Sequence, residues 1–157
     1  MDELDRQILS SLKSNARMTA SAIGDTIGLS VSAVSERIKR MERSGVIRGY
    51  TVATDPHRMG QDVCAFICVS LEHSRHNTAF MQAVRDHEKI IECQYVTGDF
   101  DFLVKVLTDS MRSLERVLSD VRDMGGVSFT RTLVVLKAVK EDVPGCINGP
   151  SKDALDG

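Results

Sequence analysis

Residues 19–45, TASAIGDTIGLSVSAVSERIKRMERSG, decide how the rest of the chain is read. Ala20, Ile23 and Ile27 recur at helical spacing behind Thr19, a residue suited to cap a helix. Gly28 can adopt the left-handed conformation that stops that helix, and Ser30 can cap the next one. Two short amphipathic helices joined by Gly28-Leu29-Ser30 make a helix-turn-helix.

At about 100° per residue, Val31, Val34, Ile38 and Met41 of the second helix fall in one narrow apolar sector. The opposite side carries Ser32, Glu36, Lys39, Arg40 and Arg43, with Ser35 and Arg37 on the flanks. Small polar groups near the start and cations further along suit double-stranded DNA. The first residues of a recognition helix reach base edges in the major groove, while Lys, Arg and the backbone amides at the helix start hold phosphates. The candidate DNA-binding set is Ser30, Ser32, Ser35, Glu36, Arg37, Lys39, Arg40 and Arg43. A charged helix taken alone is more often just a solvated face. Here the tight turn, the short preceding helix and the strand-like residues 46–52, VIRGYTV, favour a winged DNA-binding variant.

The charge distribution agrees. Net charge is −2 over 157 residues, which argues against indiscriminate coating of nucleic acid. Residues 1–60 hold nine Lys/Arg against seven Asp/Glu, and residues 61–157 hold eleven against fifteen, so the basic excess travels with the helix-turn-helix. The 42% hydrophobic content is enough for one ordinary core or two small ones. No apolar run approaches the roughly 18 residues of a membrane span, and Met-Asp-Glu-Leu-Asp-Arg is no signal peptide, so no membrane partner and a cytoplasmic location are expected. Cys64, Cys68, Cys93 and Cys146 make no CxxC pair and no zinc-finger spacing with the four histidines; reduced thiols and no metal or cofactor are expected.

Residues 2–14 read as a first helix, with a stripe of Leu4, Ile8, Leu9 and Leu12 and with Asp2, Glu3 and Asp5 near the positive end of its dipole. After the recognition helix, DPHRMG at residues 55–60 is rich in breakers and marks a domain boundary. VCAFICVSL, residues 63–71, is a well-covered central strand; residues 77–87 follow as a helix. Strands at 90–97 and 101–108 flank Gly98-Asp99-Phe100, which is hairpin chemistry. A helix begins at Asp109 or Ser110 and stops at Gly125-Gly126, and a long strand fills residues 127–139. Strand-helix-strand-strand-helix-strand is the ferredoxin-like order, with two helices on one face of an antiparallel sheet. The fold class is therefore α+β: a winged helix-turn-helix domain over 1–52, a hinge over 53–62, a βαββαβ domain over 63–143 and a loosely held tail over 144–157.

LDRQIL at residues 4–9, IGLSVSAVSERIKRMERSGVIRGY, VTGDFDFLVKV and FTRTLVVL together resemble the Lrp/AsnC family, the feast-or-famine transcriptional regulators, in the family's order and spacing up to about Val143. The resemblance implies a winged helix-turn-helix hinged to a ferredoxin-like effector-binding domain, dimers that assemble further, and a response to amino acids or related metabolites. It places Gly98, Asp99, Phe100 and Asp101 with Thr130, Arg131 and Thr132 near an effector pocket at a contact between subunits. The chain departs from many relatives at Val31-Ser32-Ala33, where a proline often follows the serine.

The chemistry of that set can be argued beside the resemblance. An amino acid presents a carboxylate and an ammonium; Gly98 permits close backbone approach, Asp99 and Asp101 can face the ammonium, and Thr130 or Thr132 can supply a hydroxyl. Gly-Asp hairpin tips and threonine-rich strands are also ordinary structure, and Arg131 is equally a cross-strand partner for an acid. No nucleophile triad, phosphate-cradling loop or catalytic carboxylate pair is present in the pattern. The expectation is a non-enzymatic, homo-oligomeric regulator of transcription. Two alternatives are a haem-pathway decarboxylase on the same architecture and an architectural DNA-binding protein that has lost its ligand.

Overall fold

The computed structural model describes residues 1–139, which divide into two compact units at Ala53/Thr54. The expectations for Cys146 and for the tail over 144–157 lie outside the described residues.

In the first unit, α1 (Glu3–Ser14), α2 (Ala20–Ile27) and α3 (Val31–Arg43) form where the apolar spacing and caps place them. Thr19 accepts the Ala22 N–H, and Ser30 accepts the Ala33 N–H. Gly28, at φ 73°, turns the chain between them in the left-handed region. One stripe from each helix meets in a small core of Ile8, Ile23, Val34 and Met41, with Leu9, Leu12, Ile27, Ile38 and Ile47 packed around it. Gly24 sits where α2 passes closest to the turn, and its carbonyl accepts the Leu29 N–H at 3.0 Å. A Cβ there would press on the Leu29 carbonyl oxygen, well inside van der Waals contact. Gly24→Val is expected to cost about 3 kcal/mol through overpacking, read as a lower urea midpoint.

The expected wing strand over residues 46–52 is not formed among the described residues. Gly45 ends α3, the Ile47 N–H donates back to the Met41 carbonyl, and Ile47 turns into the helical core. No neighbouring ladder takes up the residues beyond it, and β-propensity without a paired edge does not make a strand.

The second unit begins with a 3-10 turn, His57–Met59, in the breaker-rich segment, followed by β1 (Val63–Leu71), a second 3-10 turn Ser74–His76, α4 (Asn77–Arg85), β2 (Ile90–Tyr95), β3 (Phe102–Thr108), α5 (Met111–Asp123) and β4 (Val127–Val134). The sheet is antiparallel in the order β2-β3-β1-β4, so β1 is interior as its apolar run requires. Ala65, Ile67, Val69, Phe102, Val104 and Val106 turn to one side and meet Phe80 and Val84 of α4 and Leu114, Val117 and Val121 of α5. β4 is shorter than the 127–139 expected. The last paired position is Val134 opposite Ala65, and the Val135 N–H donates to the Cys64 carbonyl, close to the start of β1 at Val63.

The other side of the sheet carries Phe66, Leu103, Leu107, Phe129 and Leu133, alternating with the covered positions. No helix of the second unit lies on it, and Phe129 and Leu133 are 54% and 48% exposed.

Candidate functional site

Burial of Val34 and Met41 fixes the rotation of α3, and Ser32, Glu36, Lys39, Arg40 and Arg43 stand exposed on the other side as the helical pattern requires. Ser30 and Ser32 hydroxyls lie 3.1 Å apart at the helix start, and Ser35 is half-buried. Arg43 pairs with Glu36 at 2.8 Å in full solvent, a contact easily exchanged for another anion.

Arg37 and Arg40 are placed differently from a free basic face. Arg37 Nη1 donates to Asp2 Oδ2 at 2.6 Å and to Asp5 Oδ1 at 2.8 Å, while Arg40 Nη2 donates to both Asp5 oxygens at 2.9 Å. The Asp2 and Asp5 side chains each also accept the other's backbone N–H, closing a capping box on α1. The acidic residues read as dipole partners of α1 thus also bind α3. A capping-box reading of Asp2 and Asp5 was available from their spacing; the contact with α3, more than thirty residues away, was not.

The Arg37 guanidinium and the Asp5 N–H hold the Asp2 carboxyl down at about 2. At Asp5, burial pushes the carboxyl up, but the Arg37 hydrogen bond, the Asp2 N–H and the Arg40 charge more than offset it and leave it below the usual value. Both groups titrate lower folded than unfolded, so their contribution is fully present above the ordinary 3.8 and is lost as pH falls from there towards about 2. Acid unfolding followed by circular dichroism should show this loss for the wild type. Asp2→Asn should remove much of the dependence in that window.

In the second unit, the connection between β2 and β3 and the first half of β4 meet at one end of the sheet. Gly98 has φ 123°, in the region that favours glycine, and Asp99 is exposed at the tip. The Phe100 and Phe129 rings stack at 6.3 Å. Asp101 is committed to the fold: its N–H donates to Val69, its carbonyl accepts the Val96 N–H, and Oδ2 accepts the Leu71 N–H at 2.7 Å.

Thr130 lies opposite Val69 and Thr132 opposite Ile67, both on the side that faces the helices; Thr130 Oγ1 accepts Arg122 Nε at 3.3 Å. Arg131, opposite Cys68, points to the other side of the sheet. These three residues therefore cannot all line one concavity within a single chain. A cavity of about 330 Å³ beside α4 and β2 is lined by other residues, chiefly Met81, Val84, Ile90, Cys93, Tyr95 and Phe102. Burial raises the Cys93 thiol above its usual value. No helix among the described residues is long and apolar enough to cross a membrane, and no cluster there could hold a metal ion.

Residues 1–48 match the family model for winged helix-turn-helix DNA-binding domains, and residues 64–144 match that for the Lrp/AsnC ligand binding domain. The chain is 34% identical over 144 residues to the leucine-responsive regulatory protein of Escherichia coli strain K12, covering 90% of this chain and 88% of that one. Among solved structures it is similar to Escherichia coli AsnC, with TM-score 0.86, 27% identity and coverage of 90% and 96%. It is also similar to the transcriptional regulator NMB0573 of Neisseria meningitidis in its L-Met complex, with TM-score 0.84, 28% identity and coverage of 91% and 94%. These relatives are transcriptional regulators, not enzymes, and give the decarboxylase alternative no support. With a helix-turn-helix unit, a βαββαβ unit and both family models accounted for along one chain, the protein belongs to the Lrp/AsnC family of DNA-binding transcriptional regulators.

Proposed function

We propose that the protein regulates transcription as a homo-oligomer, laying α3 of two copies into successive major grooves of an operator and changing assembly or DNA affinity when an amino-acid-like effector binds between subunits. The observation that carries the DNA reading is the division of α3 into a buried apolar side and an outward Ser32, Lys39, Arg43 side behind a Ser30-capped start. Two copies related by a twofold axis read half-sites one or more whole turns apart.

Self-association is supported by the uncovered apolar side of the sheet around Phe66, Leu103, Phe129 and Leu133, which a second copy would remove from water. The effector reading draws on the ligand-binding-domain match and on the relative solved with L-Met. The split of Thr130 and Thr132 from Arg131 across the sheet fits a pocket completed by more than one subunit. An effector that bound every assembly equally would shift nothing, so its site belongs where subunits meet.

The test is a thermal-shift screen of the twenty amino acids against the purified protein, followed by sedimentation with any ligand found. An effector at about 100 times its Kd stabilises by about 2.7 kcal/mol and shifts the oligomer distribution. If no amino acid moves the melting temperature, the amino-acid assignment falls and the DNA reading remains to be judged by binding.

A further inference from the structure

Resting on α3 as the duplex-facing helix, we propose that Asp5 is a positioning residue for DNA binding: its buried carboxylate anchors Arg40 through Nη2 and leaves the rest of that guanidinium aimed outward at a DNA phosphate. The Asp5 side chain is only 3% exposed and its oxygens are fully used, taking Arg37, Arg40 twice and the Asp2 N–H. The Arg40 side chain, by contrast, is 54% exposed and lies on the polar side of α3, well away from the apolar sector.

A guanidinium has five donors in a planar fork. Arg40 Nη2 is occupied by Asp5, and among the described residues Nη1 and Nε take no hydrogen-bond partner, on a side chain that is half exposed. A long side chain that is already fixed at one end loses less rotamer freedom on meeting a phosphate, and its direction is set before the duplex arrives. Arg37 completes the clamp from the flank. Its side chain, 23% exposed, spans Asp2 and Asp5 and keeps the Asp5 carboxylate ionised and in place. Lysine cannot take this role, since a single ammonium cannot hold Asp5 and reach outward in the same fork geometry.

The opposite possibility is that Asp5 merely neutralises Arg40. The two differ in sign. Binding is measured by fluorescence anisotropy across a salt series, using a duplex selected by the wild-type protein from a randomised pool, with folding checked by circular dichroism. If Asp5 positions Arg40, Asp5→Asn weakens binding about tenfold and reduces the salt slope by about 1 per recognition helix, although it removes a negative charge. Arg40→Lys keeps the charge and binds as poorly as Arg40→Gln, and adding Asp5→Asn to Arg40→Gln costs little more. An unchanged or tightened affinity for folded Asp5→Asn overturns the proposal. Should Asp5→Asn fail to fold, Arg40→Lys decides: binding equal to wild type overturns it, and loss equal to Arg40→Gln sustains it. A loss on Lys39→Ala beside a wild-type Arg40→Lys would sink this inference alone; no loss for any α3 variant would sink the DNA reading beneath it.

Discussion

Replacing Lys39 and Arg43 together by alanine should lower affinity for the selected duplex on the order of 100-fold near physiological salt and flatten the salt dependence by about 4 for a dimer. Both side chains are exposed on the polar side of α3, and neither is needed to hold the three helices together. Lys39 makes no contact that its loss would strand, and Arg43 has only the solvent-exposed Glu36, whose pairing contributes little to stability. The melting temperature should therefore stay within a few degrees of wild type, and the loss of binding belongs to the interface. Each phosphate contact releases about 0.9 of a counterion, and two residues on two helices make four contacts. Affinity measured from low to high salt checks the number directly. A double variant that binds as tightly as wild type, with the same slope, would mean that another surface meets the duplex.

Phe102→Ala should produce the largest loss of stability in the second unit, about 3–5 kcal/mol. Phe102 is 1% exposed and begins β3 at the row Tyr95, Phe102, Val69, Thr130. Its ring lies 4.8 Å from that of Phe80 on α4 and 5.1 Å from that of Tyr95, so it joins the edge strand, the sheet and the helix layer at one point. Truncation leaves a cavity that neighbouring β-branched side chains cannot collapse into, and the aromatic pairing is lost as well. Calorimetry of the full chain should show the sheet-bearing transition lowered by roughly 15 °C or more. Phe102→Leu should recover most of it.

Much of the molecule is legible from local pattern because helices and strands are written in neighbours three, four or two residues apart. Thr19, Gly28 and Ser30 state the turn of the helix-turn-helix, and the apolar positions of α3 state which side is buried. VCAFICVSL reads as a covered strand and occupies the interior of the sheet. The βαββαβ order follows from the succession of those patterns, and with it the fold class.

Tertiary structure alone decided the rest, since it depends on pairs far apart in the chain. Residues 46–52 have the composition of a strand, but a strand exists only with a partner ladder, and Ile47 instead joins the helical core. β4 stops at Val134, opposite Ala65 near the start of its partner β1, an end point set by the pairing and not by its own composition. Strand alternation separates Arg131 from Thr130 and Thr132, yet only the docking of α4 and α5 determines which side is covered and which stays open. Asp5 and Arg40 are each ordinary polar residues on their own helices. Packing Ile8 against Val34 and Met41 draws those helices together and turns a surface charge into a buried anchor, and no local pattern encodes that distance.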